Sequence, residues 1–191
     1  MRVRALLLAA AVLAVDASGA SAATLFTTAA HTTRVTVGTT APATLANGLV
    51  ITSASTPIYT CLHSTLHLTV AQNNDAPLVG SVVGGSLSPC NVPMTGNFAT
   101  PWRLTIAGTS TMVGGFTRWN AAIDNVSFNI LSGTHSGNLT TGVTATQPTA
   151  AAAPICISLV AAGAVAGPLT GDGRFDATYC LSGTSAAFSL T

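Results

Sequence analysis

Residues 58–90 read IYTCLHSTLHLTVAQNNDAPLVGSVVGGSLSPC, and their pattern decides the fold class. Leu66, Leu68 and Val70 alternate with Thr65, His67 and Thr69, the period of two by which a strand turns one face to a core and the other to water. Asn73, Asn74, Asp75 and Pro77 break the run with turn chemistry, and residues 78–83 begin a second extended segment. Cys61 and Cys90 stand near the two outer ends. The stretch predicts two neighbouring strands held by a disulfide.

The same pattern continues on either side. Residues 24–28 and 33–37 are short Thr-rich extended segments, and Leu49, Val50 and Ile51 within residues 48–53 suit a buried strand. Residues 93–100 read as a loop, after which Pro101 opens a strand with Trp102, Leu104 and Ile106 on one face. Proline at a strand's first position removes no ladder hydrogen bond. Gly114 and Gly115 mark a turn or bulge, and Val126, Phe128 and Ile130 line one face of residues 123–131. Residues 138–146 are a hydroxyl-rich strand interrupted by Gly142, and residues 146–154 an internal loop.

Residues 155–165 are strongly apolar, and with the alanines before them the stretch 150–167 has the length of a membrane span. Pro154, Gly163 and the alternation of Ile155, Ile157 and Leu159 predict instead a buried strand followed by a turn. Residues 169–181 carry a hairpin signal, with Gly171, Asp172 and Gly173 as the turn and Phe175, Ala177 and Tyr179 alternating after it. Residues 186–190 make a last strand. Strand candidates recur roughly every 8 to 14 residues without a capped helical pattern, which predicts an all-β, antiparallel β-sandwich or barrel. Trp102, Phe128 and Tyr179 are its expected core anchors.

Arg2 and Arg4 precede an apolar run over residues 5–15, and Ala20, Ser21 and Ala22 supply the small-x-small pattern of a cleavage site. Residues 1–22 therefore read as a signal peptide, which leaves residues 23–191 as a single domain. Beyond the leader the chain has no Lys and no Glu, and Arg34, Arg103, Arg118 and Arg174 balance Asp75, Asp124, Asp172 and Asp176. Nucleic acid and anionic lipid are recognised through clustered positive charge, so electrostatic binding of either is excluded. A charge balance near zero favours self-association or residence in an envelope layer.

Cys61, Cys90, Cys156 and Cys180 read as two disulfides in an oxidising compartment. Of the three connectivities, Cys61 with Cys90 and Cys156 with Cys180 is favoured because each pair then staples neighbouring strands. Zinc ligation needs closely spaced CxxC or CxH pairs, which the chain lacks, so neither metal nor cofactor is expected.

Thr60-Cys61, then Leu87-Ser88-Pro89-Cys90, then Pro101-Trp102-Arg103-Leu104, then Cys156 and Cys180 before a final strand, follow one another in order. In this order the chain resembles a group of small secreted, four-cysteine, β-rich proteins of high-GC Gram-positive bacteria. The resemblance runs from about residue 58 onward and implies a signal peptide, two disulfides and a β-rich fold. It brings no activity with it.

Residues 28–31, Thr-Ala-Ala-His, are similar to the segment around the catalytic histidine of chymotrypsin-like proteases. The nucleophile is missing: Gly171-Asp172-Gly173-Arg174 has glycine where that family needs serine, and no GxSxG elbow occurs. A glycosidase would need two of the four aspartates to face each other across a cleft. Asp172 and Asp176 share the last hairpin with Arg174, and these three are the surface-site candidates; their spacing matches no standard calcium loop. His63 and His67 fall about 13 Å apart on a strand at roughly 3.3 Å per residue, too far to share a metal. Asn125-Val126-Ser127 and Asn138-Leu139-Thr140 are glycosylation sequons, meaningful in a eukaryotic host.

The expected function is that of a secreted or envelope-associated, non-enzymatic structural or binding β-domain acting through its Thr, Ser and Asn surface. The alternative is an oligomeric envelope β-protein or pore, suggested by 48% hydrophobic against 6% charged residues. A secreted hydrolase built from loop residues is a third reading.

Overall fold

The structure is a computed structural model that describes residues 23–53, 56–73, 77–130, 133–149, 153–163, 165–166 and 174–191. Its strands are β1 (Leu25–Phe26), β2 (Thr40–Leu45), β3 (Leu49–Ser53), β4 (Thr56–Cys61) and β5 (Ser64–Gln72). There follow β6 (Leu78–Leu87), β7 (Thr95–Gly96), β8 (Trp102–Val113), β9 (Phe116–Ile130) and β10 (Gly133–Leu139). The last are β11 (Val143–Pro148), β12 (Cys156–Gly163), β13 (Val165–Ala166), β14 (Arg174–Leu181) and β15 (Ser189–Leu190). A 3₁₀ turn, Gly183–Ala187, precedes β15.

The antiparallel order β11-β12-β14-β2-β5-β6-β8-β9 is continuous, and β9 pairs again with β11. The sheet thus closes into a barrel, which removes the exposed strand edges a sandwich would carry. Inward positions are apolar: Leu66 and Val70 on β5, Leu104 and Ile106 on β8, Phe175 and Ala177 on β14 are all buried. Outward positions on the same strands are polar and exposed, among them His67, Arg103, Arg174 and Asp176. Each large side chain moved inside stabilises the fold by about 1.5–3 kcal/mol.

Trp102, Phe128 and Tyr179 are buried in this core. Phe128 meets Phe175 edge to face, with ring centroids 5.5 Å apart. The Tyr179 hydroxyl donates to Ser64 Oγ at 3.0 Å, and Ser64 Oγ donates to the Ser86 carbonyl at 2.8 Å, so the polar tip of a buried ring is satisfied. Burial pushes the Tyr179 phenol up to about 12, and the bond to Ser64 opposes part of that rise.

The two ends of the barrel differ. At one, β1 and β15 pair with each other, Leu25 opposite Leu190, and cover the opening. Two side-chain amides fasten this cover. Asn73, buried, accepts from Leu25 N at 2.7 Å and donates to the carbonyls of Leu25 (2.7 Å) and Val35 (2.8 Å). Gln147 accepts from Leu190 N at 2.9 Å and donates to the Phe188 carbonyl at 3.0 Å.

At the other end the sheet splits. The second half of β9 leaves β11 and pairs with β10, while the first half of β14 pairs with β3, which pairs with β4. Both disulfides form with the favoured connectivity. Cys156–Cys180 is a rung of the β12–β14 ladder, and Cys61–Cys90 joins the end of β4 to the segment after β6 across an isolated bridge.

One strand is unexpected and four local expectations are corrected. Strand β2 was hidden because its inward residues are only Ala41 and Ala43, and Pro42 between them argues against a central strand. The strand expected over 138–146 is two strands, β10 and β11, separated by a turn in which Gly142 takes φ 71°. Residues 146–148, placed in a loop, end β11, and of the last expected strand, 186–190, residues 186 and 187 belong to the 3₁₀ turn while Ser189–Leu190 form β15. Asn73, read as turn chemistry, is buried and acts as a clamp. The leader 1–22, Asp75 and the Gly171-Asp172-Gly173 turn lie outside the described residues.

Candidate functional site: a neutral groove at a β-bulge

On β9, Ile123 lies opposite Leu139 and Val126 opposite Gly137, so Asp124 and Asn125 together face Asn138 alone. This is a β-bulge. Asn125 takes the left-handed conformation, φ 60°, which asparagine tolerates better than other side chains do, and its N–H donates to Asn138 Oδ1 at 3.0 Å. The extra residue reverses the inward parity of the strand. Before it Trp119, Ala121 and Ile123 are buried; after it Val126, Phe128 and Ile130 are. Asn125 and Ser127 are thereby turned outward beside Ser136, the cross-strand partner of Ser127.

The facing wall is the loop before β8. Asn97 N donates to the Ser127 carbonyl at 2.9 Å, and the Asn97 carbonyl accepts from Trp102 Nε1 at 3.0 Å. Asn97 Oδ1 accepts from Ala99 N at 3.2 Å, which folds the loop on itself. A Cβ at position 96 would collide with the Phe98 ring, so glycine there lets Phe98 fold back to within 5.0 Å of the Trp102 ring. Asn97, Ala99, Thr100, Asn125, Ser127 and Ser136 then enclose a groove of about 250 Å³.

None of these six residues carries a charge. The Ser127 and Ser136 hydroxyls and the Asn125 side-chain amide make no hydrogen bond to another described residue. Hydroxyls offer one donor and two acceptor sites, and a side-chain amide both donates and accepts. Such a wall matches a partner with hydroxyl groups of its own.

Behind the groove, on the opposite face of β10, lies His135. It is fully buried, its ring stacks on Phe128 at 5.2 Å and 14°, and neither Nδ1 nor Nε2 has a hydrogen-bond partner. Burial lowers its pKa below the usual histidine value and keeps the ring neutral. In the barrel interior two apolar cavities of about 50 and 60 Å³ share Leu68, Leu104, Ile155, Ile157 and Leu181 as walls. Space so lined does not hold water.

The sequence-predicted candidates do not gather here. Arg174 and Asp176 are exposed, two positions apart on the outer face of β14; Asp172 lies outside the described residues. Asp124 sits opposite Arg103 on the β8–β9 ladder. His31 is in an exposed turn with its ring 5.2 Å from Phe26, and His63 and His67 are exposed. Among the described residues no three His, Cys, Asp or Glu side chains come together. Of the groove residues the sequence singles out only Asn125 and Ser127, as part of a glycosylation sequon, although a trace of the groove exists. The apolar alternation of 119, 121 and 123 resumes at 126, 128 and 130, and that one-residue slip marks the bulge.

Fold and site together define a disulfide-bonded antiparallel β-barrel with a neutral polar groove at its split end. No protein-family model, curated protein or solved structure matches the chain.

Proposed function

We propose that this is an exported β-domain, extracellular or held in the cell envelope, that binds rather than catalyses, and that its ligand is a neutral, hydroxyl-rich chain of the glycan type. The observation that carries this reading is the open groove of about 250 Å³ whose lining joins the uncharged polar side chains of Asn97, Thr100, Asn125, Ser127 and Ser136 to apolar surface that includes Ala99. A binding site that presents both donors and acceptors without charge selects partners with the same character, because unmatched polar groups are costly once desolvated. Export is supported by the leader pattern and by two disulfides, which persist in oxidising compartments. Among the described residues no helix is long and apolar enough to cross a membrane.

The inward-apolar, outward-polar pattern favours this reading over a pore, since a barrel in lipid carries its apolar band outside. The reading over a hydrolase rests on the groove lining, which holds no carboxylate: Asp124, next to Asn125 in the bulge, is opposite Arg103 on the β8–β9 ladder, and Asp176 is on β14 and faces outward.

Calorimetric titration against neutral glucan, mannan and N-acetylglucosamine oligosaccharides tests the proposal. Binding by the intact protein, abolished in Ser127→Tyr and retained in Arg174→Ala and Asp176→Ala, is the expected result. Binding that survives Ser127→Tyr, or a panel in which no sugar binds, would refute it.

A further inference from the structure

Strand β8 runs past the end of its pairing with β6 at Ile106, while β9 stays paired with β11 as far as Phe116, and residues 109–116 are all exposed. The tip of the β8–β9 hairpin is apolar: Met112, Val113 and Phe116 are 75%, 55% and 45% exposed, although water-facing positions on the barrel wall are largely polar. Val113 pairs with Phe116 on one face of the hairpin, and Met112 pairs with Thr117 on the other. Gly114 and Gly115 form the two-residue turn between them, at φ 57° and 81° and with open space around both. This is the backbone that a tight primed turn needs.

We infer that this tip is a membrane-contact element that immerses Met112, Val113 and Phe116 in the interfacial region of a lipid bilayer. Two features favour lipid over a protein groove. Apolar side chains on both faces of the hairpin suit a medium that surrounds the tip, whereas a docking groove takes one face. Backbone groups entering lipid must also be satisfied from within, and the Gly115 carbonyl accepts from both Thr149 N (3.0 Å) and Thr149 Oγ1 (2.8 Å). Arg118, exposed and opposite Thr111, stands two residues behind Phe116, where a guanidinium would meet headgroup phosphates. The rest of the tip is uncharged, so attachment depends on apolar burial rather than on lipid charge. Phe116 and Asn125 are nine residues apart on β9, which places the groove about 30 Å from the tip at roughly 3.3 Å per residue. A molecule seated by its tip would hold the groove away from the bilayer.

Flotation of the full chain with phosphatidylcholine vesicles, and with vesicles containing phosphatidylglycerol, tests this. The inference predicts co-flotation with both, little weakened by 0.5 M salt, and at least a tenfold loss for Met112→Ser/Val113→Ser/Phe116→Ser. These positions are exposed, so the triple variant keeps the fold, which its unfolding transition checks. In a second variant, Phe116→Trp, indole emission shifts to the blue on adding vesicles. Failure to float with either vesicle, equal flotation of the triple variant, or a concentration-dependent dimer that accounts for the shift without lipid would overturn the inference.

Discussion

Two buried polar side chains mark the difference between the ends of this barrel. Asn73, at the end covered by β1 and β15, makes three short hydrogen bonds and joins segments 48 and 38 residues away. His135, at the split end, is equally buried and makes none. The first is a fastening, because every polar atom taken from water finds a partner. The second is a liability that the fold tolerates, since a buried polar group without a partner costs about 1–3 kcal/mol. The closed end is therefore fastened by side-chain hydrogen bonds, and the split end, which also holds the bulge and the groove, is where we propose that recognition occurs.

The largest effect on stability is expected from Asn73→Ala. The substitution strands the Leu25 N–H and the Val35 carbonyl and leaves the Leu25 carbonyl with the Val35 N–H alone, so denaturant unfolding should show a loss of about 3 kcal/mol. A loss below 1 kcal/mol would mean the cover is not fastened there. The disulfides come next. They span similar separations, 29 and 24 residues, so Cys61→Ser/Cys90→Ser and Cys156→Ser/Cys180→Ser should each cost about 3 kcal/mol in the chain-entropy model. Only the first pair lies at the split end, and only its loss should weaken ligand binding in the groove.

His135→Phe keeps a ring against Phe128 and removes two unpaired nitrogens, which should raise stability by about 1–2 kcal/mol. The smallest effect is in pH. The folded pKa of His135 lies below 6.5, so the unfolded chain binds more protons as pH falls through that value. The sign follows: this contribution is fully present above about pH 6.5 and is lost progressively below it. Urea midpoints from pH 7.5 to 5 should fall more steeply for the native protein than for His135→Phe, and parallel curves would remove His135 from the account.

Much of the barrel was legible in the sequence because its staves alternate plainly, as in Leu66, Leu68 and Val70 or Phe175, Ala177 and Tyr179. The disulfide partners followed from strand adjacency. Closure was not legible, since the β9–β11 pairing joins segments whose sequences carry no mark of each other. The clamps were misread for a related reason: Asn73 has turn chemistry, and only the distant chain brought to it by folding makes it a core residue. The groove was hidden because serine and asparagine are scattered throughout the chain, and what distinguishes Asn97, Ser127 and Ser136 is the bulge that gathers them.

The most direct test of the account is amide chemical-shift mapping of the native protein during titration with the oligosaccharide that binds best. The account predicts shifts confined to Asn97, Thr100, Asn125, Ser127 and Ser136, with Leu25, Asn73 and Leu190 unmoved. Shifts centred on the terminal strands, or spread evenly over the outer barrel, would contradict the assignment of recognition to the split end.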